Sequence, residues 1–280
     1  MSPEIEPSAD ATHPAPGSPA WFAMLFSPPE QRPAIAAVYA LWHELDSLPR
    51  RITEPEPMRM RLAWWHEELG RLEAGAPRHP RAVAASPWLE GDALANTLMR
   101  ELLVAVEEEF EGRGHEHADE LRLQAFRRRG APLSTLALAC GAPESIAIRD
   151  GRDTGQLMRC AEILADLGPS LARGRLEMPL AALERPETLL TDDGTMPRPE
   201  HVAQGVDAVI TLGKAGAAVP IRTDAPVFLR LLATLYNALL ARATDVLATR
   251  VPAKPTRLAA WQPLWLSWRT ARAISRETTS

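Results

Sequence analysis

Apolar side chains recur every three or four positions through most of these 280 residues, and nowhere do they alternate convincingly with polar ones. That period lays one buried stripe along each of a series of helices and gives no strand a buried face. Met58, Leu62, Trp65, Leu69 and Leu72 make such a stripe over 58–73, after a Pro-rich link at 53–57. Leu94, Leu98, Leu102 and Val106 make another, on a helix that Asp92 caps and that runs to Glu111. Further helices are expected at 21–26, 34–51, 117–139 (interrupted at Gly130-Ala131-Pro132), 143–167, 199–218, 226–249 and 256–276, with short turns at 82–86 and 178–183. With no hairpin dipeptide and no repeat of fixed period, the chain reads as all-α.

The length suits a single large core, placed at 19–280 behind a Pro-, Ser- and acid-containing leader, 1–18, expected to be disordered. That leader has neither the basic start nor the apolar centre of a signal peptide. A formal net charge of −5 gives no bulk attraction to nucleic acid, which is not expected as a partner. Cys140 and Cys160 lack any ligand spacing and read as small buried hydrophobes of a reducing compartment, which points to the cytoplasm. No apolar run reaches the roughly 20 residues of a membrane span. The nearest, Val227 to Ala241, is interrupted by Arg230 and Asn237.

Several clusters invite chemistry and are better explained without it. His115-Glu116-His117 lacks the HExxH spacing of a metal pair and opens a helix beside a Gly-rich turn. Glu107 to Glu109 and Arg127 to Arg129 read as solvated faces, and Asp192-Asp193-Gly194 as a surface turn. Trp261, Leu264, Trp265 and Trp268 are expected to pack the last helix onto the core. The other reading of these tryptophans, with Arg257, Arg269 and Arg272 nearby, is an interfacial helix giving peripheral contact with the inner membrane.

The stretch AIAAVYALWHELDSLPRR, Ala34 to Arg51, is where chemistry would sit. Tyr39, His43, Asp46 and Arg50 follow at helical spacing, so a phenol, an imidazole, a carboxylate and a guanidinium would share one side of the helix. Pro49 should bend or end it.

YALWHELDSL, followed by RLAWWHEEL (Arg61 to Leu69) and by ILADLGPSLARGRLEMPL (Ile163 to Leu180), resembles the squalene/phytoene synthase family of head-to-head prenyltransferases. The resemblance implies a single-domain isoprenoid-synthase bundle around a central cavity. In that family two helices each offer two aspartates four residues apart, and these hold Mg²⁺ ions that neutralise the diphosphates of two prenyl substrates. Here Asp46 and Asp166 fall on the first aspartate of each motif. Arg50 stands where the second of the first motif would be, and Pro169 and Ser170 replace the Glu-Asp of the second. His43 takes the place of an arginine that contacts diphosphate, while Arg159 and Glu162 replace Gln and Asn.

One carboxylate survives from each pair, and this resembles a degenerate branch similar to the complex I assembly factor-like members. The expectation is a protein that does not couple prenyl groups with magnesium, needs no cofactor, and binds an apolar ligand, an isoprenoid among them, or a protein partner. The other reading is an active transferase with Mg²⁺ as cofactor, making a squalene- or phytoene-like product. In it Asp46, Asp166, Tyr39 and His43 would be the candidate catalytic groups, and Arg50, Arg159, Arg173 and Arg175 would bind diphosphate.

Overall fold

Ser18 starts the fold: its hydroxyl accepts a hydrogen bond from the Trp21 N–H at 3.1 Å and caps helix α1, Pro19–Leu25. The computed structural model describes residues 13–112, 114–184, 186–189 and 196–277. The first twelve residues of the expected leader and the Asp192-Asp193-Gly194 turn lie outside them, while Pro14 is already buried. α2 is Arg32–Asp46 and α3 Leu48–Arg51; α4 is Pro55–Glu73, α5 Pro80–Leu89, α6 Ala93–Phe110, α7 Ala118–Ala125 and α8 Ala131–Ala139. α9 is Glu144–Ala165 and α10 Leu167–Ala172, followed by α11 Pro199–Gly213, α12 Val227–Leu247 and α13 Gln262–Glu277. Among the described residues there is no strand, as the apolar period requires.

Prolines are less disruptive than their bare presence suggests. Pro55 and Pro57 lie in the first turn of α4, where an N–H has no helical partner to lose. α5 runs through Pro87. Between α7 and α8 the chain does not stop at Gly130-Ala131-Pro132. It continues as one wide turn, Phe126–Gly130, in which the Ala131 N–H donates to the Phe126 carbonyl five residues back.

α9 is the central helix, with α8, α11 and α12 packed on it, and Trp65, Ile35, Leu41, Leu45 and Phe228 are fully buried in the core. Glycines let it approach the wide turn closely. A Cβ on Gly155 would collide with the backbone of Gly130, and one on Gly151 would lie 2.6 Å from Ser134 N. α12 has the length and mean hydropathy, 1.2, of a membrane span, although no single apolar run does, and 56% of that window is buried inside the fold. Its Arg230 is buried and holds Glu277 of α13 through two bonds, 2.7 and 3.1 Å.

The last helix departs from expectation. Its tryptophans do not pack inward: Trp261, Trp265 and Trp268 are 63%, 44% and 47% exposed.

Candidate functional site

Asp46 ends α2, and Ser47 is the joint. The Ser47 N–H donates to His43 O at 3.1 Å and its hydroxyl donates to Glu44 O at 3.0 Å before α3 resumes with Pro49 in its first turn. The break therefore falls before the proline. The second motif repeats the pattern: α9 ends at Ala165, Asp166 is the joint, and α10 carries Pro169 near its start. In both places the aspartate sits where one helix hands over to the next.

Asp46 is buried; its Oδ1 accepts a hydrogen bond from the Arg129 Nη1 at 2.7 Å and forms an ion pair with the Arg128 guanidinium, whose Nε lies 3.0 Å away. Arg50, one turn on, reaches Oδ2 at 3.4 Å from a largely exposed position. Burial alone would push the Asp46 carboxyl up, but Arg128, Arg129 and Arg50 together hold it far below the ordinary carboxylate range. The Arg129 guanidinium continues to Glu162 of α9, 3.0 Å from its Nε, and lies 5.7 Å from the Trp42 ring centroid. Asp46 and Glu162 hold Arg129 charged against the cost of its burial.

Arg128 makes its second ion pair with Glu109 of α6, whose other oxygen faces Arg175 at 3.5 Å. Burial brings the Arg128 pKa down to about 10, so it remains a cation at neutral pH. The Arg127-Arg128-Arg129 run is thus no solvated face. Arg127 pairs with Glu101 and Glu108, both at 2.9 Å; Arg128 is buried and Arg129 is mostly enclosed, at 3% and 11% side-chain exposure. Glu108 and Glu109 likewise belong to this ionic array.

The remaining candidates sit around it. Tyr39 stacks edge-on against Trp42, and burial pushes its phenol up to about 12. Burial also lowers the His43 pKa, against the pull of Asp46, so the imidazole is neutral at pH 7. Arg159 donates to Gln124 at 3.2 Å and pairs with Glu177 at 3.6 Å; burial pushes the Glu177 carboxyl up, but Arg159, Arg175, Arg128 and Arg173 together hold it below its ordinary value. Asp166 is not held by Arg159. It pairs with Arg173 at 2.6 Å and accepts the Ser170 hydroxyl at 3.2 Å, the last from the residue standing where the motif's second aspartate would be.

Beside the array opens a cleft of about 430 Å3, lined by Glu108, Glu109, His115, Arg127, Arg159 and Glu177 among others. Neither Asp46 nor Asp166 lines it. Among the described residues, no three His, Cys, Asp or Glu side chains gather as metal ligands would.

Sequence reasoning missed Arg128 and Arg129. A signal was present: Leu121, Ala125, Arg128, Pro132 and Leu136 recur at helical spacing, and all five are buried. A cation on an apolar stripe must find a carboxylate inside the fold.

This all-helical bundle, in which two helices each give way at an aspartate, has the isoprenoid-synthase-type fold of the solved structures it resembles. The chain belongs to the squalene/phytoene synthase family, whose model matches residues 16–269. It is similar in structure to a dehydrosqualene synthase, with a TM-score of 0.74 and 15% identity over 92% of each chain. The squalene synthase HpnC from Alicyclobacillus acidocaldarius is also similar, with a TM-score of 0.67 and 22% identity over 82% of this chain and 89% of that one. At these identities the likeness is one of fold. No curated protein matches the chain.

Proposed function

We propose that this chain is a family member that does not perform magnesium-dependent prenyl coupling and acts by binding. The observation that carries the proposal is the enclosure of Asp46 by Arg128 and Arg129 at 3.0 and 2.7 Å. A divalent ion prefers hard anionic oxygens and is repelled by cations beside them. Both Asp46 oxygens already face guanidinium groups, and Glu162 and Glu109 share Arg129 and Arg128 with it. In this array six carboxylates, Asp46, Glu101, Glu108, Glu109, Glu162 and Glu177, meet six guanidiniums, Arg50, Arg127, Arg128, Arg129, Arg159 and Arg175. The array is electrically complete without a metal, and its residues do not fit Mg²⁺.

The competing reading, an active head-to-head transferase, needs arginines free to neutralise diphosphate. Arg159 and Arg173 are each engaged by a carboxylate, which leaves Arg50 and Arg175 as the two that are exposed and loosely held, at 3.4 and 3.5 Å. The ionic lining of the adjacent cleft also suits a polar or peptide partner better than an extended apolar chain. The test is incubation of purified protein with farnesyl or geranylgeranyl diphosphate and Mg²⁺. No pyrophosphate release is expected; release with a C30 or C40 product overturns the proposal.

A further inference from the structure

α13 is amphipathic in the reverse of the usual sense. The side turned to the protein carries Pro263, Ser267 and Ile274, which are buried, with Thr270 and Ala271 half-buried beside them. The large residues Trp261, Leu264, Trp265 and Trp268 lie together on the opposite side, each at least 44% exposed. At 100° per residue they span less than a third of the helix circumference, so they form one continuous strip rather than scattered spots. A core helix would have them on the other side. Among the described residues nothing covers this strip.

The charge around it is equally lopsided. From 246 to 276 the chain contains no Asp or Glu, while Arg250, Lys254, Arg257, Arg269, Arg272 and Arg276 all fall within that stretch of a chain whose net charge is −5. Arg269 lies 4.4 Å from the Trp265 ring centroid and Arg272 5.3 Å from that of Trp268. Neither guanidinium makes an ion pair among the described residues. Indole rings at headgroup depth, flanked by cations that meet lipid phosphates, are the build of an interfacial helix. The base is firm: buried Arg230 grips Glu277 at the far end of α13, so the strip is presented on a fixed element.

We infer that α13 docks this protein on the surface of an anionic lipid bilayer, with Trp261, Trp265 and Trp268 at headgroup depth and Arg269 and Arg272 on lipid phosphates. The inference uses no group of the Asp46 array and stands independently of it.

Flotation of the full chain is measured with phosphatidylcholine vesicles and with vesicles that also contain phosphatidylglycerol. Binding is expected on the anionic vesicles, weakened by salt, and little on phosphatidylcholine alone. The Arg269→Gln, Arg272→Gln double variant should lower the partition about 30-fold, from two lost surface cations. Trp265→Ala with Trp268→Ala should lower it by at least about tenfold through lost apolar insertion. Because these side chains are exposed, both variants should keep the wild-type melting temperature, which excludes misfolding as the cause. Three results would overturn the inference: no flotation on either vesicle, flotation untouched by both variants, or a second copy covering the strip. The last would appear in sedimentation equilibrium as a dimer that the tryptophan variant dissolves and anionic vesicles do not compete away.

Discussion

Replacing Arg129 with Met leaves most of the side-chain volume in place and removes the guanidinium that joins Asp46 of α2 to Glu162 of α9. Two carboxylates then lose a partner inside the fold. Removing one member of a buried ion pair costs about 3–5 kcal/mol, because the other charge stays uncompensated. Arg128 remains 3.0 Å from Asp46, which places the expected loss at the lower end, about 3 kcal/mol. For a chain of this size, at about 2 °C per kcal/mol, that is a fall of about 6 °C in Tm. Asp46→Asn should also destabilise, since it leaves Arg128 and Arg129 facing a neutral amide. The decisive measurement is the double variant. If the two groups act on each other, Asp46→Asn with Arg129→Met costs less than the sum of the singles by about 1–3 kcal/mol, read from denaturant midpoints or calorimetry. Single-variant losses that simply add, within about 0.5 kcal/mol, would refute the ion-pair account of this site.

Acid should expose the same interaction. Asp46 is held far below its ordinary value of 3.8, so its contribution is fully present above that value and is lost as pH falls beneath it; a urea midpoint followed downward from pH 5 should drop more steeply for wild type than for Asp46→Asn. Gly155→Ala should be among the most damaging methyl additions, because the new group meets Gly130 backbone rather than a side chain that can turn away; a loss of about 3 kcal/mol or more is expected in thermal melts. Glu277→Ala strands buried Arg230, and should lower the Tm while accelerating amide exchange along α13 and little elsewhere.

Helix identity was legible wherever stripe and cap agreed. Asp92 does cap α6, its side chain accepting from Ala95 N at 2.9 Å, and the apolar period of α4 and α6 marks their buried faces correctly. Boundaries at prolines were not, because the same residue ends a helix in its interior and is harmless in its first turn, and spacing alone does not say which applies to Pro49, Pro55 or Pro132. At the site, Asp46 could be found from its motif but its partners could not. Arg128 and Arg129 stand 82 and 83 residues further along, and three adjacent cations look like surface until the fold turns two of them inward. The tryptophans of α13 mislead for a related reason: their own spacing defines a face, while only the shape of the neighbours α1 and α12 decides that the opposite, smaller face is the one that fits.

The wide turn at Phe126–Gly130 sets which counterions Asp46 can have. A helix that takes five residues back to its bonding partner narrows the angle between successive side chains, so Arg128 and Arg129 can converge on one oxygen of Asp46. Such a turn amounts to one residue too many in an otherwise regular helix. Losing that single residue would swing the pair apart, so the counterions of Asp46 depend on the length of this segment as much as on its letters.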